Sequence, residues 1–182
     1  YFALLSYGLP LLGVLALAVL LVARNPRPLL AAVPGALAVV LAFAAAGFAW
    51  WRAFPVLRER YYAGVAAVRP AAYWVWGDLA ALCFSAGFAV GASVAAVVHR
   101  RRAARSLSRD RAVVVLTLAA CACIVLADLS FMSKAETERI WLPFVPWLLL
   151  GTALLPGHWR QRLFAGQVVL AITVETLLFS PW

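Results

Sequence analysis

Residues 112–132 read AVVVLTLAACACIVLADLSFM, a run in which Asp128 is the only charged residue. A helix needs about 20 consecutive apolar residues to cross the hydrocarbon core of a bilayer. The run therefore predicts a transmembrane helix. Apolar segments of similar length recur on both sides of it, so this stretch sets the fold class from which we interpret the rest of the chain.

Five further apolar segments flank this run. They lie at 1–23, 29–51, 73–98, 140–156 and 163–180. The chain of 182 residues is 66% hydrophobic and 13% charged, against roughly 45–50% and about 25% in a soluble domain. This composition excludes a soluble globular protein. We predict an all-α, polytopic integral membrane bundle of about six transmembrane helices, spanning 1–182 as one unit, with short interfacial helices on the external side.

The first residues lack the features of a secretory signal peptide. The chain opens at Tyr1, without a basic stretch before the apolar segment and without a small-residue cleavage site. We therefore interpret the opening segment as one helix of a longer membrane protein. On this expectation, residues that take part in chemistry can lie upstream of Tyr1.

The 16 basic residues outnumber the 7 acidic ones and give a formal net charge of +9. Because these cations lie in short loops between apolar segments, we expect them to contact membrane lipid and no nucleic acid. The predominance of Arg, with Lys134 as the only lysine, indicates a bacterial source. Loops after the first, third and fifth segments carry ten cations, and those after the second and fourth carry six. Since cations are retained in the cytoplasm, we predict a multi-pass plasma-membrane protein with both termini outside.

Three acidic residues fall near the external ends of predicted spans: Asp78, Asp128 and Glu175. A carboxylate inside a membrane is costly, and it usually faces the interior of the bundle or a wet cavity. The matching depth of the three predicts one shared polar cavity that opens outwards. The alternative interpretation is that each carboxylate lies at the interface and reaches water by itself.

The external loop after the second span is rich in arginine and aromatic residues. Leu57, Tyr61, Val65 and Val68 recur at helical spacing, which predicts a short helix lying in the interface. Tyr and Trp concentrate at membrane surfaces as anchors, but aromatic rings also offer faces on which a sugar can stack. The substrate-binding candidates on this side are Arg52, Arg58, Arg60, Arg69, Tyr61, Trp74 and Trp141.

The second external loop, 133–147, leads into the fifth span. Ser133 and Glu136 have the spacing of a capping box, which predicts the start of a short helix. That interpretation leaves Glu138 and Arg139 unexplained at the end of the bundle. We therefore add Arg139 to the substrate-binding candidates, and we consider Glu138 as an acid of the same site.

Two stretches of the external side resemble a known family. The run Thr137-Glu138-Arg139-Ile140-Trp141-Leu142-Pro143-Phe144 leads into Pro146, and it is preceded along the chain by Arg69-Pro70 and Tyr73-Trp74-Val75-Trp76. This pattern resembles the C-terminal membrane half of bacterial GT-C-type glycosyltransferases, which include arabinofuranosyl and mannosyl transferases of actinobacterial envelopes. The resemblance implies transfer of a sugar from a polyprenyl phosphate to an envelope glycan acceptor outside the membrane. It also implies a catalytic acid in an early external loop, upstream of this chain.

A lipid-linked phosphate donor imposes its own requirements on the site. Its phosphate rests at the membrane surface, where a guanidinium such as that of Arg139 can bind two phosphate oxygens at once. Transfer to a hydroxyl also calls for a carboxylate base, and the candidates are Asp78, Asp128 and Glu138. Glu138 is equally suited to orient Arg139. We expect no cofactor besides the donor and no metal, since the cysteines lack the spacing of a zinc site.

Two other functions remain open from the sequence. In a transporter or lipid flippase, Asp128 and Glu175 would serve the passage of an ion or substrate. A comparison of the first three spans with the last three gives no convincing repeat of the kind that many transporters show. In a non-catalytic membrane subunit, the external loops would instead dock a partner protein.

Overall fold

The computed structural model describes residues 11–23, 25, 27–100 and 108–177, leaving aside the side chains of residues 12, 29, 50, 108, 109, 138 and 139. Every regular element within these ranges is helical. The predicted all-α class is therefore confirmed. In chain order the helices are α1 (Leu12–Ala23), α2 (Arg27–Ala45), α3 (Trp50–Ala63), α4 (Ala71–Ala86), α5 (Ala89–Arg100), α6 (Ser108–Leu129), α7 (Thr137–Ile140), α8 (Val145–Leu149) and α9 (Gly157–Leu177). The 3₁₀ turns cover Val65–Val68, Leu142–Phe144 and Leu150–Leu154.

Helix α6 is the central element of the bundle. It packs against α1, α8 and the 3₁₀ turn Leu150–Leu154. In water, such packing is stabilised mainly by the removal of apolar side chains from the solvent. In lipid, it is stabilised mainly by close van der Waals contact between the helices. The largest buried cluster consists of Leu15, Leu82, Ala86, Val90, Ala120, Cys123, Ile124, Ala127, Ile140, Trp141, Phe144, Val145 and Leu148.

The predicted third span, 73–98, is wrong as a single helix. The chain breaks at Gly87, and α4 and α5 meet there at a bend of 103°. Gly87 has φ +76°, a left-handed conformation that L side chains rarely adopt, and a Cβ at this position would collide with the side-chain amide of Gln167. That amide donates to Ala86 O (2.8 Å) and accepts the N–H of Ala89 (3.4 Å). Gln167 on α9 thus bonds backbone groups that the break leaves without helical partners.

The predicted second and fifth spans, 29–51 and 140–156, are also wrong as continuous helices. The second ends at Ala45, and the chain turns at Gly47 before α3 begins. The fifth divides into α7, α8 and their 3₁₀ neighbours. Pro143 and Pro146 lie in this stretch, and proline lacks the N–H that an uninterrupted helix would use. The short pieces allow the chain to follow the surface of α6 and α5.

Within the described residues, the stretch Asp110–Leu129 is long and apolar enough to cross a membrane, and the bent pair α4 and α5 passes the same test when counted as one span. The shorter apolar helices are Gly13–Ala23, Leu30–Ala45 and Leu142–Leu154. The predicted first and last spans extend into 1–10 and 178–180, which lie outside the described residues. The number of membrane crossings therefore stays a prediction.

Candidate functional site

Asp78 joins the two segments that the sequence predicts to be external. Its side chain is 1% exposed. Its Oδ1 accepts the backbone N–H of Ala135 (2.9 Å) and the hydroxyl of Thr137 (3.2 Å). Ala135 has φ +59°, a strained backbone that persists where surrounding contacts fix it. One carboxylate in α4 therefore holds the loop that leads into α7, about 60 residues further along the chain.

Lys134 holds the same loop against the chain that follows α3. Its Nζ donates to Ala66 O (3.1 Å) and Arg69 O (3.0 Å). Arg69 Nη1 in turn donates to Lys134 O (2.5 Å), and Lys134 N–H donates to the Tyr61 hydroxyl (3.0 Å). We call Tyr61, Arg69, Asp78, Lys134 and Thr137 the polar cluster. Its bonds connect α3, α4 and the loop before α7 in one unit.

The Tyr61 phenol lies inside this cluster and stays neutral. Burial raises its pKa, and the hydrogen bond from Lys134 N–H acts in the opposite direction with a smaller effect. A neutral phenol accepts the backbone N–H of Lys134 without placing an anion in a buried site. The hydroxyl therefore serves as a fixed partner of the loop.

Trp141 lies beneath the loop between α6 and α7, on its core side, and bonds to it through Ser133. Its side chain is 0% exposed, and its Nε1–H donates to the Ser133 hydroxyl (3.3 Å). That hydroxyl donates to Ala127 O near the end of α6 (3.2 Å). The predicted capping box is wrong, because Ser133 bonds α6 and Trp141, while Glu136 precedes α7 without a side-chain cap bond. Trp141 occupies the core rather than an exposed stacking surface.

A pocket of about 420 Å³ lies beside the polar cluster, on α3. It is lined by Phe54, Pro55, Arg58, Glu59 and Tyr62. The Arg58 guanidinium carbon lies 5.9 Å from the centre of the Tyr62 ring, within the range of a cation–π contact. We call these five residues the α3 pocket. It brings a cation, an acid and apolar side chains to one place.

Tyr62 connects the α3 pocket to the polar cluster. Its hydroxyl donates to Phe131 O (3.3 Å), and Lys134 Nζ lies 5.3 Å from the centre of its ring. Tyr61 meets the same ring edge to face, with centroids 5.2 Å apart. The wall of the pocket is therefore fixed by the loop between α6 and α7.

The remaining candidates have different surroundings. Arg52, Arg58 and Arg60 are exposed on α3, and the guanidinium carbon of Arg69 lies 5.8 Å from the Trp74 ring. The three acids of the predicted shared cavity differ in burial: Asp78 is buried, Asp128 is half-buried near the end of α6, and Glu175 is exposed on α9. That cavity stays a prediction. The side chains of Glu138 and Arg139 lie outside the described part of the chain.

Several residues of this arrangement were missed from the sequence. Thr137 was quoted only as part of a motif, and Phe54, Pro55, Glu59 and Tyr62 were not selected. Lys134 could have been selected from the sequence, because it is the single lysine in a chain whose other basic residues are all arginine. A lysine carries three donors on a compact head, which suits a buried position among carbonyl groups better than a broad guanidinium does.

Comparison with known proteins adds nothing to these contacts, since no family model, curated protein or solved structure matches the chain. Among the described residues, no three His, Cys, Asp or Glu side chains come together as a metal-binding group. The polar cluster is a set of buried bonds that fix one loop. The α3 pocket is the concave site next to it, and it combines charge with an apolar wall.

Proposed function

We propose that this chain is a polytopic module of a bacterial plasma membrane and the C-terminal membrane part of a GT-C-type glycosyltransferase. It would take a sugar from a lipid-linked phosphate and pass it to an envelope glycan on the external face. Exposed apolar side chains along two helices support a membrane setting, because water would disfavour such surfaces. On α2 they are Leu30, Val33, Leu37, Val39, Leu41 and Phe43, and on α9 they are Phe164, Val168, Val169, Ile172 and Leu177.

The observation that carries the proposal is the α3 pocket. A lipid-linked phosphate presents an anionic head joined to an apolar chain. The pocket offers Arg58 for the phosphate and Phe54 with Pro55 for the first part of the chain. Glu59 lines the same pocket and repels an anion, so the contact with Arg58 has to outweigh that repulsion. Arg52 and Arg60, exposed on the same helix, add positive charge near the surface, which attracts anions.

The polar cluster fixes the second segment that is predicted to be external, and this defines the role of that segment in the proposed function. Asp78 and Lys134 fix the loop that leads directly into the α7 backbone, where Glu138 and Arg139 stand. Asp78 therefore acts as a positioning residue rather than as the base, since its Oδ1 is engaged by Ala135 and Thr137. The catalytic acid then comes from a segment upstream, as the family resemblance implies.

A transporter is the second candidate, and the break between α4 and α5 favours it. Discontinuous helices in transporters place backbone ends next to the substrate. Here the ends meet at Gly87, and their backbone groups are bonded by Gln167. Because Gln167 already bonds these backbone groups, the break serves the structure rather than a substrate. The α3 pocket, in contrast, has the Arg58 guanidinium to bind an anion. Glycosyl transfer is therefore the function we put first.

Replacing Arg58 with alanine is expected to weaken binding of farnesyl phosphate about tenfold, because one charge-assisted contact at an exposed site is lost. Arg58→Lys should recover only part of this loss, since an ammonium lacks the planar fork. The measurement is equilibrium binding of farnesyl phosphate to the purified full chain in detergent micelles. Arg160→Ala, an exposed arginine on α9, is the matched control and should bind as the wild type does.

Farnesol, which has the same chain without the phosphate, separates the two parts of the ligand. The wild type should bind farnesol at least tenfold more weakly than farnesyl phosphate. Equal binding of the two compounds, or an Arg58→Ala protein that binds farnesyl phosphate as tightly as the wild type, would show that the α3 pocket is no phosphate site.

A further inference from the structure

Lys134 has three donors on its ammonium group, as every protonated lysine does. Two of them are taken by Ala66 O and Arg69 O, at 3.1 and 3.0 Å. The side chain is buried, so an ammonium donor without a partner would be costly. The Tyr62 ring lies 5.3 Å from Nζ and supplies the remaining attraction through its π face. The ammonium therefore holds the Tyr62 ring in place.

Tyr62 is held at a second point as well. Its hydroxyl donates to Phe131 O, in the same loop as Lys134. A ring fixed at its face and at its hydroxyl has little freedom to rotate. Arg58 precedes Tyr62 by four residues on α3, the spacing at which helical side chains meet, and its guanidinium lies over that ring. The conformation of Arg58 thus depends on where Tyr62 stands.

We infer that Lys134 is a positioning residue for the α3 pocket. It fixes Tyr62, and through Tyr62 it orients the Arg58 guanidinium toward an anionic group in the pocket, with no contact of its own to the ligand. This inference rests on the proposed function. It adds that a residue of the loop between α6 and α7 sets the orientation of the Arg58 side chain. A side chain that is ordered before binding spares the cost of ordering it on binding.

A double-mutant cycle tests this inference, with farnesyl phosphate binding in detergent micelles as the readout. Lys134→Met is expected to weaken binding about three- to tenfold, the effect of one flexible side chain that must be ordered on binding. In the Arg58→Ala background, Lys134→Met should change binding less than twofold, because the residue through which it acts is absent. Lys134→Arg, which keeps a cation with several donors, should recover part of the loss.

The control is Arg111→Met, which removes an exposed cation from α6 and should leave binding unchanged. If Lys134→Met does not fold, Tyr62→Leu takes its place in the double-mutant cycle. Tyr62→Leu should weaken farnesyl phosphate binding in the wild type and should change it little in the Arg58→Ala background. Losses that multiply in the double variant, or a folded Lys134→Met protein that binds like the wild type, would overturn the inference. Wild-type protein that does not prefer farnesyl phosphate over farnesol would instead overturn the proposed function.

Discussion

Replacing Asp78 with alanine is expected to lower the free energy of unfolding by about 2 to 5 kcal/mol. The substitution removes the side-chain acceptor of the Ala135 N–H, and a donor shielded from water and left without a partner costs about 1 to 3 kcal/mol. It also removes one of the two acceptors of the Thr137 hydroxyl, which keeps Asp78 O at 3.3 Å. The strained backbone at Ala135 also loses the contact that fixes it. The measurement is unfolding of the full chain in mixed detergent micelles.

Asp78→Asn is the informative partner of this variant, because its amide oxygen keeps an acceptor at the same place. We expect Asn to restore at least half of the stability that Ala loses. If the proposed function holds, Asn should also leave most of the sugar transfer by the full-length protein intact. A catalytic base would behave differently, since Asn would then fold well and lose a factor of 10² or more in rate. Glu175→Ala, an exposed acid on α9, is the control and should fall within about 0.5 kcal/mol of the wild type.

Replacing Trp141 with alanine is expected to cost about 3 to 5 kcal/mol, the usual range for removing a buried aromatic side chain. Trp141 is completely buried and belongs to the same core cluster as Phe144 and Ile140. Trp141→Phe keeps most of the volume and loses the bond from Nε1 to Ser133, so we expect a loss of about 1 kcal/mol. Thermal unfolding in detergent measures both.

Trp159 offers a matched tryptophan for comparison. It is 49% exposed on α9, and Trp159→Ala should cost less than about 1 kcal/mol when the micelle covers this surface. If Trp141→Ala and Trp159→Ala unfold alike, Trp141 does not belong to the core. A Trp141→Ala protein of normal stability that fails only in sugar binding would restore the stacking role that the sequence suggested.

The sequence predicted the features that depend on local composition. Most of the run 112–132 lies in α6, which begins at Ser108 and ends at Leu129. The spacing of Leu57, Tyr61, Val65 and Val68 predicted one short helix; α3 covers the first two positions, and the last two lie in the 3₁₀ turn Val65–Val68. The interfacial placement of this helix stays a prediction. The arginine-rich loop after the predicted second span indicated Arg69, and the position of an acid near the end of a predicted span indicated Asp78. The structure brings both residues into one cluster.

The features that depend on distant residues were not predicted. The break at Gly87 is explained by Gln167, which lies 80 positions further along the chain on α9. A hydropathy pattern treats Gly87 as one more small residue in an apolar run. It also treats Trp141 as an interfacial aromatic, because a buried tryptophan and an anchoring one look alike until the residues around them are known.

The loop before α7 is tied to α4 through Asp78, so that the two segments predicted to be external meet in one site. Amide hydrogen exchange of the peptide covering residues 130–137 tests it most directly, because Asp78 bonds the Ala135 N–H within that peptide. We predict slow exchange in the wild type and in Asp78→Asn, and fast exchange in Asp78→Ala, while the α6 amides around Ile124 stay protected in all three. Fast exchange of this peptide in the wild type, or the same rate in all three proteins, would contradict the account.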